Sequence, residues 1–206
     1  MPYPNLARFS NQVTPYSQKV DTADIGSYCG AFASLWVSNE RLGKTSHQRM
    51  NTICTAAVKT DWKAACDHGS KYAVDKLWGK GVDDTVLYQL RDEEATKHFS
   101  RAKRLGISLD KSSSFTPPRP AAISKYLLGR TNALWVISIP SGTSHAIATS
   151  YRPYRWYKRW NAAPEILLYE PNVGECEIAV RNLSAAINEI ISTYNITMSI
   201  AYRITT

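Results

Sequence analysis

Apolar residues recur at helical spacing through the first half of the chain and gather into short continuous runs in the second. Ala33, Trp36 and Val37 follow Cys29 along one face, which predicts a helix over residues 28–42 that stops at Gly43. Thr45 or Ser46 caps a second helix, over residues 48–66. A third is expected from Asp83 or Asp84 to Arg104, with Lys103 and Arg104 in its last turn before Gly106. The serine- and proline-rich residues 112–120 read as a break that joins this helical part to a sheet part. After a short helix at 121–128, residues 133–139 are apolar almost without interruption, the mark of a central strand covered on both faces. Further strands are expected at 145–151, 166–170, 175–180 and 197–204, with a helix at 184–194. Helices first and antiparallel strands afterwards give an α+β chain. Its helical N-terminal lobe (about residues 20–110) packs on a β-sheet lobe (about 130–206), within a single domain spanning 1–206.

Composition narrows the class. A chain of 206 residues can bury a substantial core, and 44% hydrophobic with 20% charged residues excludes a disordered protein. No apolar run reaches the length needed to cross a bilayer. Met1-Pro2-Tyr3-Pro4-Asn5 offers neither the charged start nor the apolar stretch of a cleaved secretory signal. The net charge of +8 favours acidic partners, anionic membrane surfaces or nucleic acid without choosing among them. Cys29, Cys54, Cys66 and Cys176 form no C-x-x-C pair and no compact disulfide framework. The last three read as small buried hydrophobes. Cys66-Asp67-His68 lacks a second pair of ligands, so no metal site is expected.

Cys29, His145 and Glu170 carry the candidate chemistry. Cys29 follows the turn-like Gly26-Ser27-Tyr28 at the start of a predicted helix, where the aligned peptide dipoles favour a thiolate. Taken alone, a cysteine in that place is more often a core residue. His145 opens one predicted strand and Glu170 closes another. If residues 145–153 and 162–170 form a hairpin, its outer ends pair and His145 stands opposite Glu170 on one face. An imidazole beside a carboxylate has its tautomer fixed and its cation stabilised, as a base serving a thiol requires. Asn172 is a second candidate for orienting the imidazole.

Gly-x-x-Cys followed by Ala-x-x-x-Leu-Trp, a later Ser-His-Ala-Ile-Ala, and an apolar strand ending acid-Pro-Asn-x-Gly together resemble the YopT/AvrPphB type of bacterial effector cysteine protease. The resemblance runs from about Gly26 to Gly174. It implies a papain-like fold, a secreted effector or toxin that acts in a target cell, and a protein or peptide substrate there. It also implies Cys29 as nucleophile, His145 as base and Glu170 in the place of the family's aspartate. No metal or organic cofactor is needed for such chemistry, and export would be independent of a signal peptide. A cognate chaperone or immunity protein is a further candidate partner. Two departures stand out: the acid is one methylene longer than aspartate, and just upstream of Cys29, where papain-like enzymes often carry a Gln or Asn oxyanion donor, stand Thr22, Ala23, Asp24 and Ile25. The backbone N–H of Cys29 is then the first candidate donor, with Thr22 or Gln18 as helpers.

The segment between the His and acid strands interleaves cations with aromatics: Arg152, Arg155, Trp156, Lys158, Arg159 and Trp160 suit an anionic membrane surface, and nucleic acid ranks below it. A hairpin tip whose aromatics pack on its own sheet explains the same residues equally well. Four rivals keep the thiol chemistry, namely a peptidoglycan amidase, a side-chain deamidase, a transglutaminase and an acyltransferase, because a fold and a triad do not select the substrate. A basic membrane- or nucleic-acid-binding module without catalysis is the remaining alternative.

Overall fold

The computed structural model describes residues 3–15, 29–54, 108–140, 144–152 and 164–205. Seven strands form one antiparallel sheet: β1 (Ser10–Pro15), β2 (Ser108–Phe115), β3 (Asn132–Ser138), β4 (Ser144–Arg152), β5 (Glu165–Glu170), β6 (Gly174–Ala179) and β7 (Met198–Thr205). Their order across the sheet is β1-β6-β5-β4-β3-β7-β2. Among the described residues four α-helices accompany them: α1 (Cys29–Arg41), α2 (Ser46–Cys54), α3 (Pro120–Leu128) and α4 (Leu183–Tyr194). The α+β class expected from the sequence is the one observed.

Each helix is set by local chemistry. α1 presents Phe32, Ala33, Trp36 and Val37 to the sheet, all fully buried, and Gly43 supplies the positive φ that ends it. Thr45 and Gln48 cap α2 reciprocally, each side chain accepting from the other's backbone N–H. α4 buries Leu183, Ala186, Ile187, Ile190 and Tyr194, one stripe at helical spacing, and terminates on Asn195 in the left-handed region.

The two faces of the sheet carry separate cores. One joins α1 and α2 to Leu134, Ala146, Ala148, Leu167 and Tyr169. The other joins α3 and α4 to Trp135, Ile137, Ile147, Ile166 and Leu168. The helices of the C-terminal half, expected at 121–128 and 184–194, therefore cover a face of their own. The apolar run at 133–139 behaves as predicted: β3 is buried on both faces.

Two strands escaped prediction, and both lie at sheet edges. β1 pairs only with β6, is half exposed and ends in Pro15, so its sequence lacks apolar alternation. Among the described residues β2 pairs only with β7. Its serines were read as part of a break, yet an edge strand needs backbone pairing more than β-branched side chains. The predicted helix ending at Arg104, and the part of the second helix beyond Cys54, lie outside the described residues. Among the described residues no helix is long and apolar enough to cross a membrane.

A buried ion pair ties the α1–α2 layer to the sheet. The Arg49 guanidinium on α2 donates to both carboxylate oxygens of Glu175 on β6, with Nε to Oε2 at 2.7 Å, and also to the Lys44 carbonyl. Trp36 Nε1 donates to the same Oε2 at 2.6 Å, its indole lying beneath the guanidinium and stacked on Tyr169. Sequence patterning gave no sign of this network, since Arg49 and Glu175 are 126 positions apart.

Candidate active site

Cys29 is the first residue of α1 and is buried beside the sheet, 7% exposed. His145 enters from the start of β4, and its side chain is 4% exposed. Glu170, the last residue of β5, is fully buried. The three meet: His145 Nε2 hydrogen-bonds to Glu170 Oε1, and the Cys29 thiol lies near enough to the imidazole to raise its proton affinity. With Nε2 engaged by the carboxylate, Nδ1 is the nitrogen left for the thiol.

The register that brings His145 and Glu170 together differs from the expected one. β4 and β5 pair Ala148 with Tyr169 and Arg152 with Glu165, a slip of two residues from direct opposition of His145 and Glu170. One further step sets Glu170 across from Ile147, two residues along from His145. A slip of two preserves the face, so the hydrophobic pattern cannot distinguish the registers. It also makes the pair diagonal neighbours, roughly 7–8 Å apart at the backbone. Glutamate's extra methylene suits that span.

Glu170 is held on every side. The backbone N–H of Asn172 donates to Oε2 at 2.8 Å, and Asn172 Nδ2 to Oε1 at 3.3 Å. The Tyr194 hydroxyl, from the end of α4, donates to Oε1 at 3.0 Å. Asn172, a candidate for orienting the imidazole, is thus tied to the acid. Tyr194 was missed as a site residue. Its sequence signal is slight: a polar-tipped aromatic that ends an apolar helix stripe.

Burial and charge oppose each other at the imidazole. Burial alone would push His145 down, but the opposite charges of the Cys29 thiolate and Glu170, with hydrogen bonds to both, hold it up at about 10 against an ordinary 6.5. Nitrogen-15 imidazole spectroscopy is expected to find His145 losing its proton near pH 10. The midpoint should fall in Cys29→Ala, where Glu170 alone opposes burial, and in Glu170→Asp, whose shorter side chain does not reach. A wild-type midpoint near 6.5 would contradict this electrostatic picture. Cys176 contrasts with Cys29: burial pushes its thiol up to about 11, with the carboxylates of Glu170 and Glu175 adding and a hydrogen bond from Ser10 opposing. It is a core thiol, as its sequence setting suggested.

The other candidates are placed elsewhere or not described. Arg152 ends β4, 3.4 Å from Glu40 Oε1 and about one-third exposed. A polar cleft of about 260 Å³, lined in part by Thr14, Glu40, Lys44, Arg152 and Glu177, opens at that far end of β4 and includes none of Cys29, His145 and Glu170. Thr22 and Gln18, and Arg155, Trp156, Lys158, Arg159 and Trp160, lie outside the described residues.

Comparison with solved structures finds two that share this fold. Pseudomonas avirulence protein AvrPphB is similar with a TM-score of 0.63 at 14% identity, over 98% of this chain and 100% of that one. PatoxP, a cysteine protease-like domain of the Photorhabdus asymbiotica toxin PaTox, is similar with a TM-score of 0.51 at 12% identity, over 95% of this chain and 54% of that one. No protein-family model and no curated protein sequence matches the chain.

Proposed function

We propose that this protein is a cysteine protease of papain-like arrangement, one catalytic unit that acts as a secreted effector or toxin on a protein of a target cell. The observation that carries the reading is the imidazole of His145 between a helix-start thiol and a fully buried carboxylate. The fold shared with AvrPphB and PatoxP supports it independently.

In this mechanism Cys29 Sγ gives its proton to His145 Nδ1, and the resulting ion pair persists because Glu170 stabilises the imidazolium. The thiolate attacks the amide carbonyl carbon, and the backbone N–H of Cys29 faces the oxyanion that forms. The C–N bond breaks as the leaving amine takes the proton from His145. Water, deprotonated by His145, then attacks the thioester and frees the carboxylic acid. The thiol is regenerated, and the balance is one amide bond hydrolysed by one water.

The test compares wild type with Cys29→Ser in lysates of eukaryotic and bacterial cells, with mapping of new protein N-termini by mass spectrometry. New N-termini with the wild type alone are expected. Cleaved wall peptides, or one-dalton gains at glutamine, without new N-termini would overturn the protease reading in favour of an amidase or a deamidase. No change that depends on Cys29 in any of these readouts would contradict thiol chemistry altogether.

A further inference from the structure

We infer that Tyr194 is a positioning residue that holds Glu170 in line with the imidazole, an inference that rests on the catalytic role proposed for Cys29, His145 and Glu170. A carboxylate with no exposure needs donors from the protein, and Glu170 Oε1 faces three: His145 Nε2, Tyr194 Oη at 3.0 Å and Asn172 Nδ2 at 3.3 Å. Tyr194 has one proton to give. Asn172 Nδ2 lies 3.2 Å from its oxygen and occupies the accepting side, which leaves the phenol proton directed at Glu170. The same side chain packs on the base, its ring centroid 5.4 Å from that of His145 and tilted by 56°. Tyr194 therefore touches both acid and base.

A glutamate needs such a clamp more than an aspartate does, because it carries one more rotatable bond. Asn172 fixes the carboxylate from the strand side and Tyr194 from the helix side. The two helical layers thereby divide the work at this end of β4: α1 presents the thiol, and α4 presents the group that holds the acid. Burial, with the Glu170 charge adding, pushes the Tyr194 hydroxyl well above its usual range, so it stays a neutral donor at any working pH.

The experiment needs no natural substrate. The rate of Cys29 alkylation by iodoacetamide is followed against pH in wild type, Tyr194→Phe, Glu170→Gln and the double variant, with thermal unfolding of each. Phe keeps the ring on His145 and removes only the donor. Tyr194→Phe is expected to raise the midpoint by about one pH unit, roughly tenfold in rate below it, with little change in melting temperature. Glu170→Gln raises it further, and the double variant matches Glu170→Gln alone, since Tyr194 acts through Glu170. 3-Fluorotyrosine substituted at Tyr194, a stronger donor of nearly the same shape, should move the midpoint the other way. An unchanged midpoint in Tyr194→Phe beside a shifted one in Glu170→Gln would overturn the inference, and so would shifts that add fully in the double variant. If Glu170→Gln itself leaves the midpoint unchanged, the failure lies with the triad and takes the inference with it.

Discussion

His145→Ala is expected to lower hydrolysis roughly 10²–10⁴-fold on the first peptide that N-terminal mapping identifies, the range that loss of a positioned acid–base group commands. The effect is large because one imidazole serves three steps: it draws the proton from Cys29, delivers it to the leaving amine, and activates the water. Its position is also constrained, at the start of β4 with Ile137 opposite on β3 and Glu170 as hydrogen-bond partner. The loss should fall on kcat while the variant remains folded, since Asn172 and Tyr194 still donate to the buried Glu170 carboxylate. A reduction below about tenfold would show that another group serves as base.

Glu175→Gln is expected to destabilise the fold by about 3–5 kcal/mol, because it strands the Arg49 guanidinium at 2% exposure without a counter-charge. Melting should fall by on the order of 10 °C for a chain of this length. Replacing both partners with apolar residues, Arg49→Met with Glu175→Leu, should recover most of the loss, since neither charge then remains buried alone. The pH dependence has a definite sign. Burial alone would push the Glu175 carboxyl up, but the hydrogen bonds and charge of Arg49, with Trp36 and Ser46 assisting, hold it below its usual value of 4.5. The stabilisation is therefore whole above that usual value and is lost as the pH falls through the lowered one. Urea unfolding should show wild type and Glu175→Gln far apart at neutral pH and converging in acid. Curves separated equally at both pH values would contradict the ionic account.

What could be seen in the sequence follows from periodicity. Cys29 was found at a helix start because Ala33, Trp36 and Val37 keep one face apolar behind it. His145 and Glu170 were expected on a common face, and they share one even though the register is slipped by two. Parity along a strand is fixed by side-chain alternation, whereas absolute register depends on loop and bulge geometry that alternation does not encode. The edge strands Ser10–Pro15 and Ser108–Phe115 were invisible for a related reason. Strands that pair on one side only are specified by their neighbours β6 and β7 more than by their own residues. Tyr194, Arg49 and Glu175 form the third class. Their roles arise from contacts between elements far apart in sequence, which no local pattern announces.

The most direct test of the central claim is the alkylation rate of each cysteine against pH, in wild type and in His145→Ala. The account predicts that Cys29 reacts rapidly well below the ordinary thiol range near pH 8.5, that this advantage disappears in His145→Ala, and that Cys176 stays inert throughout. A Cys29 that is open to reagent yet no faster than an ordinary thiol, or one equally fast without His145, would contradict the thiolate–imidazolium pair and with it the proposed hydrolase.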